Sequence, residues 1–79
     1  MKEKLFELIS MKLGIGTDQI SMQSEFINDL GADSLDTVEI IMEIEDVFGI
    51  EIPDHESEKM FTVVSVYNYL QANTNDPNI

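Results

Sequence analysis

Ser34-Leu35-Asp36-Thr37-Val38-Glu39-Ile40-Ile41-Met42-Glu43-Ile44-Glu45-Asp46-Val47-Phe48 holds neither glycine nor proline, and its apolar residues recur at helical spacing. Asp33 stands before it as an N-cap, with Asp36 three residues on as an imperfect capping box, and Gly49 ends it. Projected at about 100° per residue, the segment separates into three surfaces. Ile40, Ile41, Ile44, Val47 and Phe48 share one wide arc, which is the face expected to pack on other helices. Asp36, Glu39, Glu43 and Asp46 lie opposite. Leu35, Val38 and Met42 form a narrow apolar stripe between the two, with Glu45 on its far edge.

Toward the N-terminus, Leu30-Gly31-Ala32-Asp33 reads as a turn closing a long connection from Thr17, in which Ile20, Phe26, Ile27 and Leu30 are spaced as anchors. Ahead of it Leu5, Leu8, Ile9 and Leu13 fall at helical spacing, Phe6 widens the apolar face, and Gly14 and Gly16 end the run. Toward the C-terminus, Pro53 disfavours helix at Ile52, so Ile50-Glu51-Ile52-Pro53 is an extended connector. Asp54 is expected to cap a short helical turn over His55 to Met60. Thr62 is expected to cap a last helix on which Val63, Val66, Tyr67 and Leu70 repeat at i, i+3, i+4 and i+7. Residues 73–79, polar and containing Pro77, are expected to be a flexible tail. The sum is an all-α fold over residues 1–79 as a single domain. It is a four-helix bundle with three main helices, one short third helix, and a long loop between helices one and two.

Composition narrows the function. At 79 residues the chain has room for one small core, and a buried multi-residue active site is not expected. Cysteine is absent, which removes disulfides and thiolate metal clusters and fits a reducing compartment. The opening residues have no long apolar run of the kind a secretory signal or membrane span needs, so a cytoplasmic protein without stable membrane insertion is expected. Sixteen acidic residues against four lysines give a net charge of -12, which repels nucleic acid and anticipates partners with basic surfaces. A hydrophobic content of 43%, in periodic stretches, argues for folding rather than disorder.

An apolar stripe flanked by carboxylates has the character of a docking surface, though charge runs on helices are commonly only solvated faces. Ser34 falls in the first turn, where unpaired backbone N–H groups and the positive end of the helix dipole favour a phosphate ester. A serine at a helix start is more often nothing else, so position alone leaves both readings open.

The wording of the sequence goes further. Asp29-Leu30-Gly31-Ala32-Asp33-Ser34-Leu35-Asp36-Thr37-Val38-Glu39 resembles the modification motif of acyl carrier proteins, especially the freestanding bacterial type of fatty acid synthesis. The resemblance continues through Phe48-Gly49-Ile50-Glu51-Ile52-Pro53-Asp54, Glu58-Lys59 and Thr62-Val63. It implies that Ser34 becomes an ester of 4′-phosphopantetheine, taken from coenzyme A, whose thiol carries acyl chains as thioesters. Metal and base for that step would come from a separate phosphopantetheinyl transferase, so the chain would be a substrate of enzymes and not itself an enzyme. It further implies that Asp33, Leu35, Asp36, Val38, Glu39, Met42, Glu45, Asp46 and Asp54 meet basic surfaces of the fatty acid enzymes. An acyl chain would slip between helices against Ile44, Phe48, Ile52, Met60 and Val66, all of which also suit an ordinary core. The expected state is a monomer.

Departures from the family pattern are Glu43, where a small apolar residue is common, Val47 in place of a common acid, and the apolar Met60-Phe61 and Val64. A specialised acyl or polyketide carrier of a dedicated pathway is the alternative within the family. Outside it, a calcium loop starting at Asp29 fails, since Ser34 and Ile40 occupy the places that need glycine and glutamate. Acid–base catalysis by the clustered carboxylates lacks a pocket or histidine partner, and His55, alone in an exposed turn, is expected to have no catalytic or metal role.

Overall fold

A computed structural model describes residues 2–73, which form four α-helices: α1 (Lys2–Leu13), α2 (Ser34–Phe48), α3 (Asp54–Ser57) and α4 (Val63–Asn73). A 3-10 turn over Thr17–Gln19 lies in the long connection between α1 and α2. Among the described residues there is no strand, only an isolated antiparallel bridge between Glu25 and Thr62. No helix among them is long and apolar enough to cross a membrane. Of the tail expected over 73–79, Asn73 instead closes α4, and residues 74–79 lie outside the described residues.

The helix ends are built as residue type dictates. Gly14 and Gly49 adopt left-handed backbone at φ 68° and 67°, which only glycine reaches without cost. Each lets two successive N–H groups turn back onto one carbonyl: Gly14 and Ile15 onto Ser10, Gly49 and Ile50 onto Glu45. At the start of α4, Thr62 Oγ1 accepts from the Ser65 N–H and Ser65 Oγ from the Thr62 N–H, each at 3.3 Å. The short helix departs from expectation. It ends at Ser57, and Asp54 lies inside it while Pro53 occupies the N-cap without a side-chain bond. Proline's fixed φ already suits a helix entry there. Beyond Ser57 the chain tightens, with Lys59 N–H bonding to the Glu56 carbonyl and Met60 N–H to that of Ser57.

Leu5, Leu8 and Ile9 of α1, Ile40 and Ile44 of α2, and Val63, Val66 and Leu70 of α4 form the core, joined by Ile20, Phe26, Leu30, Ala32, Ile52 and Met60 from the connections. Two expectations fail. Ile27 is 53% exposed although Phe26 is buried, because residues 25–30 wind as a helical turn and the next side chain swings about 100° away. Val47, expected on the packed face of α2, is 39% exposed and lies outside the buried arc centred on Ile40 and Ile44.

Candidate functional site

Ser34 opens α2 in a fully formed capping box. Asp33 Oδ1 accepts the Asp36 N–H at 2.8 Å and Asp36 Oδ2 accepts the Asp33 N–H at 3.1 Å, so aspartate fills the place usually taken by glutamate or glutamine. The N–H groups of Ser34 and Leu35 have no acceptor among the described residues, and they sit at the positive end of a fifteen-residue helix. Donors and dipole both suit an anionic group on the Ser34 hydroxyl. Local bonding sets this serine apart from the other five. Ser10 Oγ bonds to the Ile15 carbonyl, Ser21 and Ser24 to each other, Ser57 to the Asp54 carbonyl and Ser65 to the Thr62 carbonyl. Ser34 is exposed, and its hydroxyl makes no such bond among the described residues; only its carbonyl is used, by Thr37 Oγ1 at 2.8 Å.

The stripe beside Ser34 faces solvent: Leu35, Val38 and Met42 are 64%, 54% and 59% exposed. Glu39 and Asp46 flank it as exposed carboxylates with no hydrogen bond or ion pair among the described residues, and the Asp54 carboxylate is equally open on α3. The other acids of the expected face are engaged. Asp33 and Asp36 cap the helix, and Glu45, half-buried, turns its carboxylate inward to accept the Ile52 N–H at 2.8 Å. Glu43 pairs with Lys12 of α1 at 3.6 Å, which gives this unusual acid a structural partner.

A cavity of about 720 Å³, with Ser34 among its lining residues, separates α2 from residues 25–28 and 52–61. Its size suits a small ligand. Phe26, Ile27, Val38, Ile40, Ile41, Met42, Ile52, Met60 and Phe61 make its walls apolar, and Ser34 and Thr37 stand on it; Glu25, Glu45, Asp54 and Glu58 also line it. No lysine does. Of the five residues expected to hold an acyl chain, Ile52 and Met60 are on this wall. Ile44 and Val66 sit wholly inside the core, and Phe48 turns toward α1, where Lys4 Nζ stands 5.2 Å from its ring centre.

Sequence reading missed Phe26, Ile27, Ile41 and Phe61 as wall residues. A signal was available for two of them: Phe26-Ile27 places adjacent large apolar residues in a loop with one buried face, and Met60-Phe61 does the same, so one member of each pair has to look elsewhere.

Residues 3–70 match the family described as the phosphopantetheine attachment site. The chain is 50% identical to an acyl carrier protein of Chlorobium phaeobacteroides over 70 residues, covering 89% of this chain and 90% of that protein. It is 51% identical to one of Clostridium acetobutylicum over 74 residues, covering 94% and 96%. It is 49% identical to one of Chlorobium phaeovibrioides over 70 residues, covering 89% and 90%.

Proposed function

Because the chain belongs to the acyl carrier protein family, we propose that its 4′-phosphopantetheine arm is attached to Ser34. The family's work is non-catalytic: a covalent phosphopantetheine carries acyl chains as thioesters through fatty acid synthesis. What supports Ser34 as the attachment point is its hydroxyl, exposed at the head of α2 and, like the Ser34 and Leu35 N–H groups beside it, without a hydrogen-bond partner among the described residues. The carboxylates beside it, Asp33 and Asp36, are engaged in the capping box, so the transferase that modifies it supplies the general base.

Docking of basic-surfaced transferase and synthase partners follows from the same face. Leu35, Val38 and Met42 supply the apolar contact, while Glu39, Asp46 and Asp54, with Asp33 and Asp36 at the helix head, supply the charge. Acyl chains fold back from the arm into the cavity beside Ser34, against Phe26, Ile41, Ile52, Met60 and Phe61. The carrier works as a monomer in the cytoplasm, its charge of -12 opposing self-association.

Intact mass after incubation with coenzyme A, magnesium and a phosphopantetheinyl transferase tests the attachment point. Wild type gains the arm and Ser34→Ala does not, while its helical circular dichroism is retained because Asp33 still caps α2. A modified Ser34→Ala protein, or an arm mapped to Ser10, Ser21, Ser24, Ser57 or Ser65, would refute the assignment.

A further inference from the structure

We propose that Glu45 is a positioning residue of the acyl cavity, fixing the wall that determines which chains are sheltered. This rests on the reading of the cavity beside Ser34 as the acyl site. Glu45 takes three N–H groups from the connector after α2: its carbonyl accepts Gly49 at 2.9 Å and Ile50 at 3.2 Å, and its carboxylate accepts Ile52 at 2.8 Å. The last bond is the informative one. Ile52 is buried on the cavity wall and precedes Pro53, which has no N–H, so its amide is the final donor of the connector before α3. A buried donor needs an acceptor, and here the acceptor is a side chain of α2 that lines the same cavity.

From Ile52 the chain runs through α3 to Met60 and Phe61, where Phe26 N–H takes the Phe61 carbonyl at 3.0 Å. Residues 52–61 are therefore a wall tied at both ends, to α2 by Glu45 and to the long loop by Phe26; Tyr69 adds an exposed bond to the Glu51 carbonyl at 3.2 Å. Without the Glu45 carboxylate, the Ile52 amide must turn toward water for a partner, carrying its side chain off the wall. Glu45 thus acts on the acyl chain through Ile52, not as one of the carboxylates offered to partners.

The test uses the full chain carrying its arm, as wild type, Glu45→Gln and Glu45→Ala. Glutamine keeps an oxygen for the Ile52 N–H and loses only the charge; alanine removes the acceptor. Amide hydrogen exchange reads the tether at Ile52. Hydroxylamine cleavage of acetyl and octanoyl thioesters reads the cavity, since an acetyl group is too short to enter it. Wild type and Glu45→Gln protect the Ile52 amide and the octanoyl thioester alike, whereas Glu45→Ala loses about three- to tenfold of both protections. Rescue by glutamine separates positioning from charge. A folded Glu45→Ala protein that keeps the Ile52 amide protected, or loses it while octanoyl protection stands, overturns the proposal and leaves the cavity reading intact. If Glu45→Ala does not fold, rapid Ile52 exchange in Glu45→Gln overturns it instead. Equal cleavage of acetyl and octanoyl groups in wild type would remove the cavity reading itself, and the role of Glu45 with it.

Discussion

Asp33 and Asp36 each accept the other's backbone N–H, at 2.8 and 3.1 Å, and Ser34 stands between them at the head of α2. The box satisfies the Asp36 donor and leaves those of Ser34 and Leu35 available, so helix stability and the environment of the serine come from one device.

Asp33→Ala should therefore cost about 1 kcal/mol, a fall of about 4–8 °C in melting temperature for a domain of this size. Since removing any acid relieves repulsion in a chain of charge -12, Asp46→Ala, exposed and unbonded among the described residues, is the matched control. Circular dichroism melts at constant salt make the comparison. Equal melting temperatures for the two variants would mean the box contributes nothing.

Charge governs the second expectation. Sixteen acids face four lysines, and Lys12 with Glu43 is an ion pair between α1 and α2 that is partly exposed on both sides. The melting temperature should rise from low salt to ~0.15 M as repulsion is screened over a Debye length of about 8 Å. Lys12→Met should cost no more than about 1 kcal/mol at low salt, and less as salt is added. Melting curves that do not move with salt would contradict this.

Much of this fold is legible in the chain because its signals are local. Gly14 and Gly49 end helices, Thr62 starts one, and the spacing of Leu5, Leu8 and Ile9 or of Val63, Val66 and Leu70 marks the buried sides. The proposal of Ser34 rests on the words around it rather than on its helix position. The cavity was not legible, because its walls come from separate segments: Ile41 on α2, Phe26 and Ile27 in the long loop, Phe61 before α4. Periodicity reports which face of a helix is buried, not what a loop lays against it. Glu45 was read among the partner-facing acids, and its inward bond escaped for a related reason, since the Ile52 N–H lies in the connector, outside the reach of a helical projection.

Ile44 and Phe61 separate core from cavity. Ile44 has no exposed surface, and Ile44→Ala should cost about 2–5 kcal/mol in urea denaturation. Phe61 is 67% exposed and also lines the cavity, so Phe61→Ala should change stability by less than about 1 kcal/mol yet weaken protection of a bound octanoyl thioester. A Phe61→Ala carrier with unchanged thioester protection would take that side chain off the acyl path. Should Ile44→Ala alter protection with little loss of stability, the chain reaches deeper than this cavity.

On α2 the proposed docking face divides into two kinds of contact, and kinetics can tell them apart. Glu39 is an exposed carboxylate that acts at a distance, whereas Met42, 59% exposed, can act only when a partner touches the stripe. Glu39→Lys should slow association with a basic phosphopantetheinyl transferase and flatten its salt dependence, because long-range attraction raises the encounter rate and salt screens it. Met42→Ala should leave association nearly unchanged and quicken dissociation, since short-range apolar contact is lost only after the complex has formed. Met42 also borders the cavity, so circular dichroism must confirm that both variants are folded before stopped-flow traces at several salt concentrations are compared. Wild-type rates for both folded variants, at low and at high salt, would reduce the stripe and its flanking acids to a solvated helix face and send the search for the partner surface elsewhere on the bundle.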